Sequence, residues 1–283
     1  MTLRPRDEHG SFVVEHDGAP VGSVALRLTG EHDGELRWSL EEPHRGQGYA
    51  TRAVRLLVTH ALDTMGLSRV QARVEPANER AVRVATRAGL MREGVQRVEA
   101  GHGERPETTG YVVLARLRSD PPVDEPLGFR TLLNSFLPRK RAIAQMLVRD
   151  PDDRVLLCRL TYKTDWDLPG GVVEVGESPH VAVSREVKEE LDLDVPAGRL
   201  LLTDWLPPWS GWDDALCLVF DGGVHPASVV DRTVLQPREI RSAELCTVEQ
   251  ARERCADFTA RRVEAALAAL HGGGTTYTES GRG

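Results

Sequence analysis

The sequence predicts an α/β protein built of two domains, and three observations carry that expectation. The chain has 283 residues, and at about 100–200 residues per domain that length holds two cores. Short β-rich runs alternate with helical stripes in both halves. Between the halves, 119–127 reads SDPPVDEPL, with three prolines, three acids and no periodicity. Such a segment is an extended linker.

In the first domain, expected over 1–118, residues 11–28 form a hairpin whose two β-rich runs flank an Asp17-Gly18 turn. Residues 34–42 are a further strand. Ala50, Ala53, Val54, Leu57, Ala61, Leu62 and Met65 then make a helical stripe that Gly66 stops. A strand over 69–75, a helix over 78–89 ended by Gly89, and a strand over 110–117 complete the domain.

Within the expected linker, 119–139, Phe129, Leu132, Leu133, Phe136 and Leu137 share one face of a short amphipathic helix. The second domain, expected over 140–271, opens with strands at 142–150 and 154–160. An acidic helix follows over 179–191, then strands at 199–206 and 214–223. A helical end runs from Thr247, which with Gln250 makes a capping box, to Leu270. The tail 272–283, GGGTTYTESGRG, offers too little apolar surface to order itself and is expected to be disordered.

Composition excludes several classes. Hydrophobic residues make up 40% and charged ones 28%, ordinary for a soluble globular chain. No apolar run reaches a membrane span, and the N-terminus lacks the apolar core of a secretory signal. The four cysteines are scattered without a C-x-x-C pair, so a cytoplasmic, reducing setting is expected. The net charge of −7 is uneven: residues 1–118 carry 17 basic against 16 acidic side chains, and the rest 19 against 27. An acidic second half argues against nucleic acid as a partner and suits a carboxylate site that a cation neutralises.

The acidic helix reads REVKEELD over 185–192. Ser178 suits its cap and Pro179 its first turn. Glu186, Glu189 and Glu190 stand at i, i+3 and i+4 and share a face, beside an apolar stripe of Val183, Val187 and Leu191. Three like charges on one face repel, by a few tenths of a kcal/mol per pair. A hard divalent cation turns that repulsion into coordination. Taken alone, the triplet is weak evidence and fits a plain solvated face better than a metal site.

The residues around it decide the matter. Gly171 is followed after five residues by Glu177, after seven more by Arg185-Glu186-Val187, then by Glu189-Glu190 and by Asp192-Leu193. This resembles the Nudix box, G-x5-E-x7-R-E-U-x-E-E-x-G-U, with Asp192 at the family's last glycine. The preceding WDLPG (Trp166 to Gly170) is similar to the usual approach to that box. The resemblance spans roughly 140–270 and implies an α/β/α sandwich with a loop–helix–loop site. It implies that Glu186, Glu189 and Glu190, with Gly170 from the backbone, hold Mg²⁺ or Mn²⁺. Arg185 would pair with Glu177 and orient the glutamates. The implied reaction is attack of water on a diphosphate linkage. Its general base is Glu189 or Glu190, or an acid outside the box, for which Asp213, Asp214 and Glu239 are candidates. Asp192 should tolerate the left-handed conformation of the family glycine at a small cost. Trp205, Trp209 and Trp212 cluster with two prolines in DWLPPWSGWDD. Trp205 and Trp212 are the candidates for stacking on a nucleobase, and cover of the core edge is the competing reading.

In the first domain, Arg45-Gly46-Gln47-Gly48-Tyr49-Ala50 lies between a strand and a long helix. Glycines there let backbone N–H groups approach an anion at the helix N-terminus. Together with VEPANERAVRVATRAGLMREG, which carries Asn78, the run 11–118 resembles the GNAT acetyltransferases, most of all the branch acting on N-termini of ribosomal proteins. The resemblance implies a mixed sheet with helices that binds acetyl-CoA, and a protein or small amine as acetyl acceptor. It departs from the family near the start, where two helices that build the acceptor pocket are missing, so the domain is a shortened one. Glu35, Glu41 and Tyr111 are its candidate acid–base groups.

The expected protein is therefore a Mg²⁺-dependent Nudix hydrolase of a nucleotide-type small molecule, fused to a GNAT-like domain. Two alternatives stay open: acetyl transfer as the main activity, and a regulatory protein that binds ligands without cleaving them.

Overall fold

The computed structural model describes residues 1–6, 10–98 and 110–283. The chain divides into two compact units, Met1–Pro138 and Arg139–Gly283.

The first unit holds strands β1 (Thr2–Pro5), β2 (Ser11–His16), β3 (Ala19–Leu28), β4 (Asp33–Leu40), β5 (Arg69–Val74), β6 (Met91–Arg97) and β7 (Gly110–Leu117), with helices α1 (Tyr49–Thr59), α2 (Glu79–Arg87) and α3 (Pro126–Phe136). Its sheet has the order β1-β2-β3-β4-β5-β7-β6. Asp17 and Gly18 both take positive φ in the β2–β3 hairpin. Alternate residues of the strands (Val24, Leu26, Leu36, Val70, Ala72, Val112, Leu114) meet Ala53, Val54, Leu57 and Ala85 of α1 and α2 in one core. β4 and β5 are parallel and pair only over Asp33–Glu35 and Arg69–Gln71. Among the described residues no helix lies between β1 and β2, which pair directly. The expected linker helix is α3, and it belongs to this unit: Leu132 is buried, and Ser135 Oγ accepts from Arg92 N of β6.

The second unit holds β8 (Arg141–Arg149), β9 (Val155–Leu160), β10 (Trp166–Asp167), β11 (Gly170–Val172), β12 (Leu200–Leu206), β13 (Ala215–Val224), β14 (Ile240–Cys246) and β15 (Thr276–Glu279), with α4 (Pro179–Leu191), α5 (Val248–Arg254) and α6 (Asp257–Gly272). The sheet runs β10-β9-β8-β13-β12-β15, with β11 on β8 and β14 on β9. Two cores flank it. Ala144, Met146 and Val148 meet Val183, Val187 and Leu191 of α4. Leu147, Leu201 and Val219 meet Val263, Ala266 and Leu267 of α6.

Two expectations are corrected here. The tail is not disordered: β15 pairs in parallel with β12, and Thr278 is buried with its hydroxyl donating to Asp204 Oδ1 at 2.8 Å. Its order comes from backbone pairing and one buried carboxylate, which an apolar count misses. The helical end is not continuous either. The capping box at Thr247 and Gln250 starts α5, but extended Cys255 and Ala256 separate it from α6.

Candidate functional site

Ser178 caps α4 by accepting from Val181 N at 3.3 Å, with Pro179 at the first position, where its missing N–H costs nothing. The buried stripe Val183, Val187 and Leu191 fixes how the helix turns. Glu186 and Glu190 are thereby brought to β11, whereas the Glu189 side chain stays 58% exposed. Gly170 N–H donates to Glu190 Oε2 at 2.9 Å. A Cβ on Gly171 would stand 2.5 Å from the Glu186 carboxylate carbon, and one on Gly170 (φ +134°) 2.2 Å from Ala144 O. Only glycine fits at 170, where the obstacle is backbone, and a side chain at 171 would displace the Glu186 carboxylate.

Arg185 binds Glu177, Glu186 and Glu189. Its Nε and Nη2 donate to Glu177 at 3.0 Å each. Nη1 donates to Glu186 Oε1 at 3.0 Å and Glu189 Oε2 at 2.9 Å. Hydrogen bonding to Arg185 holds the Glu177 carboxyl below its ordinary range, and the Glu177 bond raises Arg185 in return. Glu186 is raised by burial, which outweighs Arg185. Burial pushes Glu190 up to about 8, against the pull of the Gly170 N–H, with Glu186, Glu239 and Asp167 adding to the rise. With Arg185 between them, the glutamates are not drawn together: among the described residues no three His, Cys, Asp or Glu side chains form a ready-made metal group. The donor set is nonetheless all carboxylate oxygen beside a glycine cradle, which is the chemistry that Mg²⁺ and Mn²⁺ accept.

Asp192 takes the left-handed conformation (φ 55°, ψ 28°) that ends α4, and its carboxylate reaches Lys188 at 2.7 Å.

Of the three acids outside the box, Glu239 is the one brought to the glutamates. Its loop is tied to the end of α4, with Val234 N donating to Leu191 O and Gln236 N to Glu190 O, both at 2.9 Å. The Glu239 carbonyl accepts from Thr161 N at 2.8 Å, and its charge acts on both Glu186 and Glu190. Asp214 is paired with Lys140, and Asp213 offers its carbonyl to Arg141. Tyr162, which the sequence analysis did not single out, follows Thr161. The residue is 68% exposed, and its phenol is pushed up to about 12 by partial desolvation against the surrounding protein and then by Glu190, Asp167, Glu239 and Glu186. The only sequence signal for it was an aromatic residue just past the end of a strand.

The three tryptophans are separated. Trp209 packs edge-on against Phe258 of α6, with ring centroids 5.6 Å apart. Arg141 lies over the Trp212 ring at 4.9 Å. Trp205 pairs in register with Leu216 of β13, and Leu216 with Ala142 of β8. Strand alternation therefore puts it on the face that α4 covers, the face of the glutamates.

In the first unit, a cavity of about 730 Å³ is lined by Trp38, Ser39, Leu40, Arg45, Gly46, Gly48, Ala50, Asn78 and a row of α2 side chains including Arg80, Arg83 and Arg87. Gly46 and Gly48 take φ +78° and +82°, and no side chain caps α1, so its leading N–H groups face an anion-sized opening. Asn78 Oδ1 caps α2 through Ala81 N at 3.1 Å. Gln47 and Tyr49 do not line the cavity. Gln47 Nε2 turns back to Pro43 O at 3.1 Å, and Tyr49 is buried against His16. Among the candidate acid–base groups, Glu35 is buried and held by Arg73 at 3.1 Å, Arg37 at 3.5 Å and Arg27 at 3.6 Å. Tyr111 lies under Arg73, and Glu41 precedes a short 3₁₀ turn. None of the three lines the cavity.

The cavity at a helix end in one unit and the carboxylate helix over paired glycines in the other define a protein of two different α/β domains. The chain carries an acetyltransferase (GNAT) domain, matched over residues 2–91, and a NUDIX domain, matched over residues 138–267. It is 24% identical over 99 residues to an uncharacterized N-acetyltransferase p20 of Bacillus licheniformis, covering 34% of this chain and 56% of that one. It is 37% identical over 81 residues to nucleoside triphosphatase NudI of Escherichia coli, covering 27% and 52%. Among solved structures, a UDP-X diphosphatase overlays with a TM-score of 0.42 at 20% identity, over 51% of this chain and 70% of that one. The matched stretches span between about a quarter and a little over half of these curated relatives' lengths. No helix among the described residues is long and apolar enough to cross a membrane.

Proposed function

We propose that the second unit hydrolyses a diphosphate linkage in a nucleoside-diphosphate-type small molecule with the help of Mg²⁺ or Mn²⁺, and that the first unit binds acetyl-CoA. The observation that carries the reading is the convergence of Glu186 and Glu190 on Gly170-Gly171, where a side chain on either glycine would collide.

Glu186, Glu190 and the Gly170 carbonyl would hold the cation, joined by Glu189 once it leaves Arg185. When bound, the cation neutralises charge on the diphosphate and acidifies water. Arg185, locked on Glu177 by two bonds, keeps the glutamates aimed and prevents their mutual repulsion from splaying α4. Glu239 is the favoured general base, because its loop is fastened to the end of α4; Glu189 is the second candidate. Trp205 is the favoured base-stacking residue, and Trp212, under Arg141, is the second candidate. β11 and β12 are separated by β8 and β13, three strand spacings or roughly 14 Å. That span suits a nucleoside with its diphosphate laid across the face.

A panel of nucleoside-diphosphate derivatives with Mg²⁺, read by phosphate and nucleotide release, tests this. Cleavage that persists in the Glu189→Gln, Glu190→Gln double variant would overturn the mechanism.

The arginine-rich cavity favours a second reading alongside the first, in which the first unit transfers acetyl from acetyl-CoA to a protein or small amine. Calorimetric titration with acetyl-CoA tests it, and absence of binding would leave that unit a structural one.

A further inference from the structure

We infer that Arg262, on the face of the second sheet opposite the glutamates, is a positioning residue for the glycine that receives Glu190, acting through Gln145. The inference rests on the divalent-cation reading above. Arg262 is 1% exposed. Its Nε donates to Asp204 Oδ2 at 2.9 Å and its Nη1 to Gln145 Oε1 at 3.0 Å, and it stands 3.9 Å from Asp167. Arginine's rigid fork is what allows one side chain to hold an acid and an amide at once. A buried guanidinium is costly to desolvate, and the packing of α6 through Val263, Ala266 and Leu267 does not call for one.

Gln145 is the link. Its side chain lies among buried residues with both ends bound. Oε1 also accepts from Cys217 Sγ at 3.1 Å, and Nε2 donates to Asp167 Oδ1 at 2.8 Å. Its backbone is the register partner of Gly170, and a Cβ on Gly170 would lie 2.8 Å from the Gln145 Cα. The next residue, Met146, donates its N–H to Pro169 O at 3.0 Å. Asp167, the other residue held by the network, accepts from its neighbour's backbone: Leu168 N–H donates to Asp167 Oδ1 at 3.0 Å. The segment 167–170 is thus held at its start by the Gln145 side chain and at its end by the β8 backbone at Gln145 and Met146, while Gly170 N–H donates to Glu190 on α4. A lateral slip of β8 at Gln145 moves that N–H directly.

The test compares two variants that weaken the same buried network. Gln145→Leu keeps the backbone pairing with Gly170 but cuts the side-chain bonds that tie this stretch of β8 to Arg262 and Asp167. Thr278→Val removes a buried bond to Asp204 and leaves the link intact. Each is measured as the full chain for Mn²⁺ affinity, by the loss of free Mn²⁺ signal in electron paramagnetic resonance, and for melting temperature. The expected result is about a tenfold weaker Mn²⁺ affinity in Gln145→Leu, and wild-type affinity in Thr278→Val at a comparable loss of melting temperature. Equal Mn²⁺ affinity in the two variants would overturn the positioning role. Should Gln145→Leu not fold, Arg262→Lys replaces it, since one ammonium cannot bridge Asp204 and Gln145 together, and the same tenfold loss is expected. A wild-type protein that binds no Mn²⁺ would overturn the cation reading itself and this inference with it, an outcome distinct from the first.

Discussion

Arg185 grips Glu177 through Nε and Nη2 at 3.0 Å each, and its third nitrogen spans Glu186 and Glu189. One guanidinium therefore ties the loop before α4 to two turns of that helix. A lysine at this place keeps the charge but offers a single point instead of a fork. Arg185→Lys is expected to lower kcat by about ten- to a hundredfold, with KM for the nucleotide little changed, because the substrate itself is not gripped. Steady-state kinetics on whichever panel compound is cleaved checks it; full turnover in the lysine variant would remove Arg185 from the mechanism.

Glu239 and the pair Asp213, Asp214 separate cleanly in the structure. Glu239→Gln is expected to cost a hundredfold or more in kcat, roughly the worth of a positioned base. Asp213→Asn and Asp214→Asn should stay within about twofold, as surface changes do. The three variants measured side by side, at saturating Mg²⁺, rank the candidates. A larger loss in either aspartate variant would move the base to the other end of the sheet.

The acidic helix was legible because its chemistry is written at fixed spacing: Ser178, Pro179, the Val183–Val187–Leu191 stripe and the three glutamates all lie within one helix. The glycine loop at 45–50 was legible for the same reason. What escaped depends on distant residues meeting. Gln145 and Arg262 are 117 positions apart in the chain, and nothing local marks either as a buried polar partner. The ordered tail escaped because a parallel edge strand needs only backbone pairing and two donors for Asp204. The tryptophan cluster misled in the other direction. Its residues are near in sequence, but strand alternation and a tight turn send Trp205 and Trp209 to different neighbours.

The tail makes a prediction of its own. Thr278 Oγ1 and Gly281 N both donate to Asp204 Oδ1 at 2.8 Å, and Asp204 is fully buried. Removing 276–283 leaves that carboxylate with Arg262 alone and bares the edge of β12. Each lost buried partner costs about 1–3 kcal/mol, so the melting temperature should fall by several degrees. A truncated chain melting with the full-length protein would show that β15 contributes no stability.

Acetyl-CoA binding should depend on two features of the cavity in different ways. Arg45→Ala and Arg80→Ala each remove a charge facing an anion and are expected to weaken binding about tenfold, with the deficit shrinking as salt rises. Gly48→Ala meets open space around its Cβ, so it collides with nothing. Its penalty is the left-handed backbone, about 1–2 kcal/mol, and appears as lower stability of the unit. Calorimetry and thermal melting on the same samples read the two effects apart. A Gly48→Ala protein of normal stability that has lost all binding would mean a ligand presses against that Cβ position.

Acid should also loosen the β8–β9 turn. Asp150 Oδ1 accepts from Asp152 N at 3.1 Å and Arg154 N at 2.9 Å, and Oδ2 from Arg154 Nε at 2.8 Å. Burial alone would push this carboxyl up, but the Arg154 guanidinium and the two backbone donors outweigh it and hold it below the ordinary range. A carboxyl depressed in the fold contributes its stability above the unfolded value, about 3.9. The contribution drains away as pH falls through the lower, folded value. Asp150→Asn should therefore lower the urea midpoint at pH 7, and the gap to wild type should close as pH drops below about 4. A gap of the same size at pH 7 and pH 2.5 would mean that the turn is held by the shape of the side chain, with its charge contributing nothing.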